Sequence, residues 1–289
     1  MAKNAAQTGL GPATVISIEQ HFPKEQRILE DDFAELMLST GLKTFVSLMR
    51  FSGLRQWLIN KTERQIPGIW GSMLIRKRYI DDKARASIPD IEAVVNLGAG
   101  FDTRFFRVPE MKSLSVWELD QPVNISAKKS QIIKSLSAVP SNLHLAPIDF
   151  DRESIADALI TAGYVSDTKT FFIWEGVTQY LTQEGIDSTM AFLSKAASGS
   201  KMAFTYVIGD FIQGKAIHDC EKAYEKYIVK EKMWLFGINP VELPDFLEKY
   251  GWKLVEDKDA SELADVYIKP TGRKLVTTPI ERMAFAEKV

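Results

Sequence analysis

One cysteine, Cys220, stands in 289 residues, so neither an internal disulfide nor a cysteine-rich zinc site can form. Cys220 lies in an amphipathic stretch, Asp219 to Lys232, and reads as structural rather than nucleophilic. Histidine is also scarce: only His21, His144 and His218 are present, and no metal ligand set is expected. No apolar run reaches the roughly 18 residues that suggest a membrane span, and Met1-Ala2-Lys3-Asn4 is not followed by an apolar segment of the secretory kind. A soluble, cytoplasmic protein without a membrane partner is therefore expected. Neither sign of charge dominates. A net charge of −2 and a pI near 6.0 give no electrostatic reason to expect nucleic acid. The basic clusters Arg76-Lys77-Arg78 and Lys128-Lys129 are short and read as solvated helix faces. No Gly-x-x-x-x-Gly-Lys-Ser/Thr occurs, which excludes a P-loop, and no internal repeat or low-complexity tract is visible.

What is present is an ordinary globular mixture, 45% hydrophobic and 26% charged, enough for one large α/β domain or a domain with an appendage. Residues 1–90 look helical throughout, with Asp31 and Asp32 ahead of an apolar pattern from Phe33 to Met49, and Gly53 opening a further segment. Pro67-Gly68 then breaks the chain before a helix reaching about Ser87. This is read as an N-terminal helical cap or lid. From residue 91 the rhythm changes to strand–helix alternation. Candidate strands are Ala93–Leu97, Leu114–Leu119, Leu143–Pro147, Thr170–Trp174 and Lys201–Val207, separated by helical stretches. A mostly helical insertion follows at about 210–237, then strands at Trp252–Glu256 and Arg282–Glu287, with Ala264–Lys269 either a short strand or a loop. The expected fold is α/β: a Rossmann-like, mostly parallel seven-stranded sheet with helices on both faces, ending in an antiparallel pair. Residues 91–289 form this domain.

Parallel strands put their C-terminal ends on one edge, where ligands bind. The first end carries Gly98-Ala99-Gly100, where bare backbone and the N–H groups of a following helix can meet a nucleotide-like ligand. Taken alone, such a turn is as often plain structure. The third glycine of the dinucleotide fingerprint is missing, because Thr103 stands there. The second end carries Glu118 and Asp120, either of which can accept both ribose hydroxyls. The third carries Asp149-Phe150-Asp151, a carboxylate for an exocyclic amine beside an aromatic face for adenine, and the fourth carries Glu175-Gly176. One acidic strand end is usually a solvated cap. Three in succession after a Gly-x-Gly turn point to an adenosine-containing cofactor. The missing glycine and the single α/β unit suit S-adenosylmethionine better than a nicotinamide dinucleotide.

At Val95-Asn96-Leu97-Gly98-Ala99-Gly100-Phe101-Asp102-Thr103-Arg104 the chain resembles the leucine carboxyl methyltransferase family, closest to its bacterial and fungal branch of O-methyltransferases of secondary metabolism. Further matching pieces fall in the family's order: Arg76-Lys77-Arg78-Tyr79-Ile80-Asp81-Asp82, Glu118-Leu119-Asp120-Gln121-Pro122, and Trp174-Glu175-Gly176-Val177-Thr178-Gln179-Tyr180-Leu181. Upstream, Thr8-Gly9-Leu10-Gly11 and Leu29 to Ala34 also resemble it, as does Gly251-Trp252. The resemblance implies a class I methyltransferase fold and S-adenosylmethionine as cofactor, released as S-adenosylhomocysteine. It implies that Gly98, Ala99 and Gly100 pass under the methionine part, and that Arg76, with Arg78 as a second candidate, pairs with its carboxylate. Asp120 would hold the ribose, Asp149 and Phe150 the adenine, and Glu175 the amino or sulfonium side. One departure stands out. Where the branch usually has a basic residue eight positions after the threonine, this chain has Ile16.

Methyl transfer from a sulfonium needs alignment and desolvation more than bond-breaking groups. A carboxylate acceptor is ionised at neutral pH, whereas a phenol usually needs a base. No base is evident on the sheet edge, so a carboxylate of a small hydrophobic or polyketide-like metabolite is the expected acceptor, with a phenol or enol next. Tyr180, Tyr206, His21 and His218 are the catalytic candidates, and Trp234 and Phe236 are candidate pocket walls. A nicotinamide-dependent reductase and a non-catalytic cofactor-binding scaffold remain the readings from other classes.

Overall fold

The computed structural model describes residues 9–150 and 152–289. The expectations attached to Met1–Asn4, Thr8 and Asp151 therefore lie outside the described residues.

The chain opens with helix α1 (Leu10–Glu19), α2 (Thr40–Leu48), α3 (Ser52–Glu63) and the long α4 (Ile69–Ser87). Glu63 starts α4 from outside: its carboxylate accepts from Gly68 N–H at 2.6 Å and Trp70 N–H at 3.1 Å, meeting donors that no helical turn satisfies. The segment is less continuously helical than its apolar pattern suggests. Between α1 and α2 only short 3₁₀ turns occur, Lys24–Gln26 and Ala34–Met37, because Pro23 and an extended Leu38 interrupt the chain.

The strands follow: β1 (Ala93–Leu97), β2 (Ser115–Asp120), β3 (Leu143–Pro147), β4 (Thr170–Trp174), β5 (Lys201–Val207), β6 (Trp252–Asp259) and β7 (Glu281–Lys288). They form one seven-stranded sheet in the order β3-β2-β1-β4-β5-β7-β6. The first five are parallel and β7 runs antiparallel to both its neighbours, as expected. The helices between them are α5 (Arg104–Arg107), α6 (Pro122–Leu136), α7 (Ile155–Thr161), α8 (Gln183–Leu193), α9 (Gly209–Ile212), α10 (Glu221–Tyr224), α11 (Leu243–Glu248) and α12 (Ala264–Tyr267).

Alternate strand residues feed two cores. Val94, Val116, Phe171 and Ile173 pack with Leu74, Ile75 and Ile80 of α4, and the same cluster takes in Ala13, Val46 and Ile59 of the N-terminal helices. Val95, Leu97, Trp117, Phe172 and Trp174 pack on the opposite face with Leu159, Ile186, Met190 and Leu247. Burial on both faces is why β1 and β4 read as mostly apolar runs, β1 interrupted by Asn96 alone.

Two stretches depart from expectation. Residues 264–269 are neither strand nor loop: they form α12 and then a 3₁₀ turn at Lys269–Thr271, with Val266 turned to solvent and Ile268 bonded back to Ala264. The insertion at 210–237 is only partly helical, holding α9, α10 and a π-helical continuation at Glu225–Lys230. Positive φ at Gly214, His218, Asp219 and Lys232 breaks the rest. No described helix is long and apolar enough to cross a membrane.

Candidate functional site

The strand order reverses between β1 and β4: β1 leads outward to β2 on one side, β4 to β5 on the other. The loops leaving such a pair diverge and open a crevice at the C-terminal edge of the sheet. The Gly98–Gly100 turn forms one wall and Glu175-Gly176 the other.

The turn is built from backbone. Gly98 and Ala99 N–H donate to Leu119 O at 2.8 and 2.9 Å, locking the turn to β2. Gly98 has φ +73°, and a side chain there would run into Val177 at 2.4 Å. Gly100 has φ +50°, and a Cβ would face Gly9 and the Asp120 carboxylate, so the ligand-facing surface is bare main chain. Asp120 is buried at the end of β2 and reaches back to the turn. Its Oδ2 accepts from Gly100 N–H at 2.6 Å, while Oδ1 accepts from Gln121 N–H and Asn124 Nδ2. Glu118, two residues earlier, lies elsewhere: Lys128 Nζ is 2.5 Å from its carboxylate, both buried, and burial pushes the Glu118 carboxyl up despite that partner.

Across the crevice Glu175 is 5% exposed and meets three cations. Arg76 Nε donates to Oε1 at 2.9 Å, Lys77 Nζ is 3.0 Å from the same oxygen, and Arg104 Nη2 donates to Oε2 at 2.9 Å. Burial alone raises this carboxyl, but Lys77, Arg76 and Arg104 outweigh it and hold it at about 2. The network extends further. Arg76 Nη1 donates to both oxygens of Glu281, Arg104 and Arg107 clamp Asp81, and Asp102 takes Arg104, Arg107 and Lys77. Arg107 also reaches Asp31, which accepts from Thr103 Oγ1 at 2.5 Å. Burial raises Asp81 and Asp102, yet the arginines around them win and both carboxyls sit below their ordinary range. The network thus joins four cations (Arg76, Lys77, Arg104, Arg107) to five carboxylates (Asp31, Asp81, Asp102, Glu175, Glu281), 4 − 5 = −1. That one negative charge beside the crevice favours a ligand with a positive centre.

The structure does not gather every candidate here. Arg76 is in place, but Arg78 is not: two residues along a helix is about 200° of rotation, and Arg78 pairs with Asp82 on the outer side of α4. Lys77 and Lys128, expected on solvated faces, are buried and ion-paired. Asp149, at the end of β3, donates through its N–H to Glu153 at 2.7 Å, and its side chain is about one-third exposed. Phe150 packs against the core on that side.

Tyr180 follows Glu175 in a 3₁₀ turn, half-buried, and Gln179 O there accepts from Leu235 N–H at 2.7 Å, drawing the insertion towards the edge. Tyr206 is fully buried in β5 and donates to Asp257 at 2.9 Å. Burial and that carboxylate push its hydroxyl far up. His21 Nε2 is bonded to Val46 O among the N-terminal helices, and His218 sits in a left-handed turn of the insertion. His144 stacks on Trp117 in the sheet. Trp234 stacks on Tyr227, and Phe236 packs against Phe246. Ile16 is buried against Leu29 and Ala34, filling a small apolar cluster. Sequence reading missed Lys77, Asp81, Arg104 and Arg107 as site residues. The signal for Lys77, Asp81 and Arg104 was present in the motifs Arg76 to Asp82 and Val95 to Arg104, whereas Arg107 lies three residues beyond them.

Residues 9–194 match the sequence profile of the family described as leucine carboxyl methyltransferase. A stretch of 114 residues is 40% identical to YktD of Bacillus subtilis (strain 168), provisionally assigned as an S-adenosyl-L-methionine-dependent methyltransferase, and covers 39% of this chain and 37% of that one. A protein of Mycolicibacterium gilvum (strain PYR-GCK) with the same provisional assignment is 32% identical over 197 residues, 65% of this chain and 63% of the relative. The matches thus span between about a third and two-thirds of those relatives' length. Two solved structures share the fold. One is a provisionally assigned methyltransferase of Thermobifida fusca YX (TM-score 0.60, 15% identity, 81% of this chain and 87% of that one). The other is a DUF574 family protein of Streptomyces avermitilis MA-4680 (TM-score 0.56, 17% identity, 80% and 88%).

Proposed function

Because this chain belongs to the leucine carboxyl methyltransferase family, we propose that it is an S-adenosylmethionine-dependent O-methyltransferase acting on a carboxylate of a small hydrophobic or polyketide-like metabolite. The observation that carries the cofactor is the crevice at the strand-order reversal. Bare glycine backbone latched to Asp120 faces Glu175 there, at the edge of a network with one negative charge in excess. A methionine zwitterion with a sulfonium carries one net positive charge, so these residues fit the group. When bound, the cofactor supplies an activated methyl group that an acceptor oxygen displaces from sulfur.

The chain's own residues divide the remaining work. Gly98, Ala99 and Gly100 give the cofactor a floor without side chains. Asp120, already held by three donors, keeps its fourth lone-pair site, on Oδ2, for the ribose. Asp149 and Phe150 serve the adenine side. Glu175, ionised far below neutral pH, faces the positive end of the cofactor. Arg76 makes three hydrogen bonds to Glu175 and Glu281 with five N–H donors, so it can hold Glu175 and still receive the cofactor's carboxylate. Asp102, Arg104, Arg107 and Lys77 fix this arrangement. We assign residues 1–90 and the insertion at about 210–237 as the lid, with Tyr180 on the acceptor side.

The acceptor follows from what the edge supplies. Tyr206 is spent on Asp257, His21 is bonded to Val46 O, His144 stacks on Trp117 within the sheet, and His218 lies in a left-handed turn of the insertion. An acceptor already ionised at neutral pH suits such an edge, which favours a carboxylate over a phenol. The test is turnover with methyl-labelled S-adenosylmethionine against a panel of organic acids and phenols. A base-labile labelled product establishes a methyl ester, whereas a base-stable one assigns an ether and overturns the carboxylate reading. Release of no S-adenosylhomocysteine with any acceptor would leave a scaffold, and a thermal shift with NAD(P)H alone would leave a reductase.

A further inference from the structure

Away from the crevice, the N-terminal helices expose large apolar side chains at every third position: Leu48 (46%), Phe51 (52%), Leu54 (44%) and Trp57 (57%). Leu48 ends α2, Phe51 closes a turn by donating its N–H to Leu48 O, and Leu54 and Trp57 lie on α3. Leu54, Trp57 and Lys61 stand at i, i+3 and i+7 on one face of α3, and Phe51, at its N-cap, precedes Leu54 by the same spacing. Along this stretch the charges are of one sign. Ser39 to Thr62 contains Lys43, Arg50, Arg55 and Lys61 and no acidic residue.

Arg55 is turned inward, bonded to Met49 O and stacked over Phe22. Arg50 and Lys61, in contrast, are exposed, and each lies over an aromatic ring of the patch: Arg50 at 4.9 Å from Phe51, Lys61 at 5.0 Å from Trp57. The nearest acid along the chain, Glu63, has both carboxylate oxygens committed to the start of α4. Indole and phenyl rings flanked by cations are the composition that lies in the headgroup region of a bilayer. A second copy is a poor occupant, because two-fold pairing of this face would set its cations against each other.

We propose that the α2–α3 face is a peripheral docking surface for a membrane carrying anionic lipid headgroups, with Phe51, Leu54 and Trp57 entering the interface and Arg50 and Lys61 meeting the headgroups. The expectation that no membrane takes part is at odds with this proposal, which needs no spanning helix. It does not depend on the identity of the methyl acceptor.

The test is co-sedimentation of the full chain with phosphatidylcholine vesicles, with and without phosphatidylglycerol. Pelleting is expected with the anionic vesicles and should fall as salt is raised. R50E/K61E should weaken it by more than roughly twenty-five-fold, since each cation near a charged surface contributes about a factor of five and each glutamate adds repulsion. F51S/W57S should abolish it, while V241S, at a position 84% exposed elsewhere, should behave as wild type. All substituted positions are exposed, and each variant is compared at unchanged thermal melting. No pelleting with anionic vesicles, or equal pelleting with neutral ones, overturns the proposal. So does a wild-type dimer in ultracentrifugation that F51S/W57S turns into a monomer.

Discussion

The two sides of α4 carry the same residue types and live in different physical regimes. On one side Arg76, Lys77 and Asp81 are buried, and their partners come from β1's loop, β4's loop and β7. On the other, Arg78, Asp82 and Arg85 pair within the helix at roughly one-third to two-fifths exposure. Water screens the outer pairs and makes each worth little. The inner ones have given up their hydration, so each depends on its partners for solvation, and removing one strands the others. Ion pairs that look alike along the sequence therefore differ in what they do: the inner set shapes the crevice, and the outer set decorates a surface.

The largest effect should come from D102A, which takes a shared carboxylate from Arg104, Arg107 and Lys77. A loss of about 3–5 kcal/mol of stability is expected, read from urea unfolding. A loss like that of an outer pair would erase the distinction. Next comes acid. Glu175, Asp81 and Asp102 are all held below their ordinary values, so the stability they lend is present at neutral pH. It is lost as pH falls below the ordinary 4.5 of a glutamate towards the 2 of Glu175. Urea midpoints measured from pH 7 downward should drop steeply in that window, and less steeply in E175Q.

In the site itself, D120A should weaken S-adenosylmethionine binding ten-fold or more, about the worth of one charged hydrogen-bonded partner. Unchanged affinity would put the ribose elsewhere, and Glu118 is not available because Lys128 holds it. E281Q should raise KM for the cofactor several-fold while leaving kcat near wild type, since Glu281 touches Arg76 and acts only through it. The smallest effect belongs to D82N, expected below about 1 kcal/mol in the same unfolding assay.

Much of the scaffold was legible from the sequence. The bounds of β1, β3, β4 and β5 match the expected runs residue for residue; β1, β4 and β5 are buried on both faces, whereas β3, at the sheet's edge, is only partly buried. The seven-stranded sheet with its antiparallel end and the gathering of strand ends followed from the same rhythm. The insertion was not legible, since left-handed turns at His218, Asp219 and Lys232 carry no glycine to announce them. Nor was the fate of the basic clusters. Whether Lys77 faces water or Glu175 is decided by a residue 98 positions later in the chain, and Lys128 is likewise buried by a partner on another element. Periodicity on α4 separates Arg76 from Arg78, but only the packed structure says which side faces the crevice.

Calorimetric titration of S-adenosylmethionine into wild type, E175Q and D82N tests most directly whether the inner face of α4 orders a cofactor site. Wild type and D82N should bind alike, and E175Q at least ten-fold more weakly. If E175Q bound as tightly as wild type, or if D82N lost affinity equally, the buried network would be structural only and the crevice would not be the cofactor site.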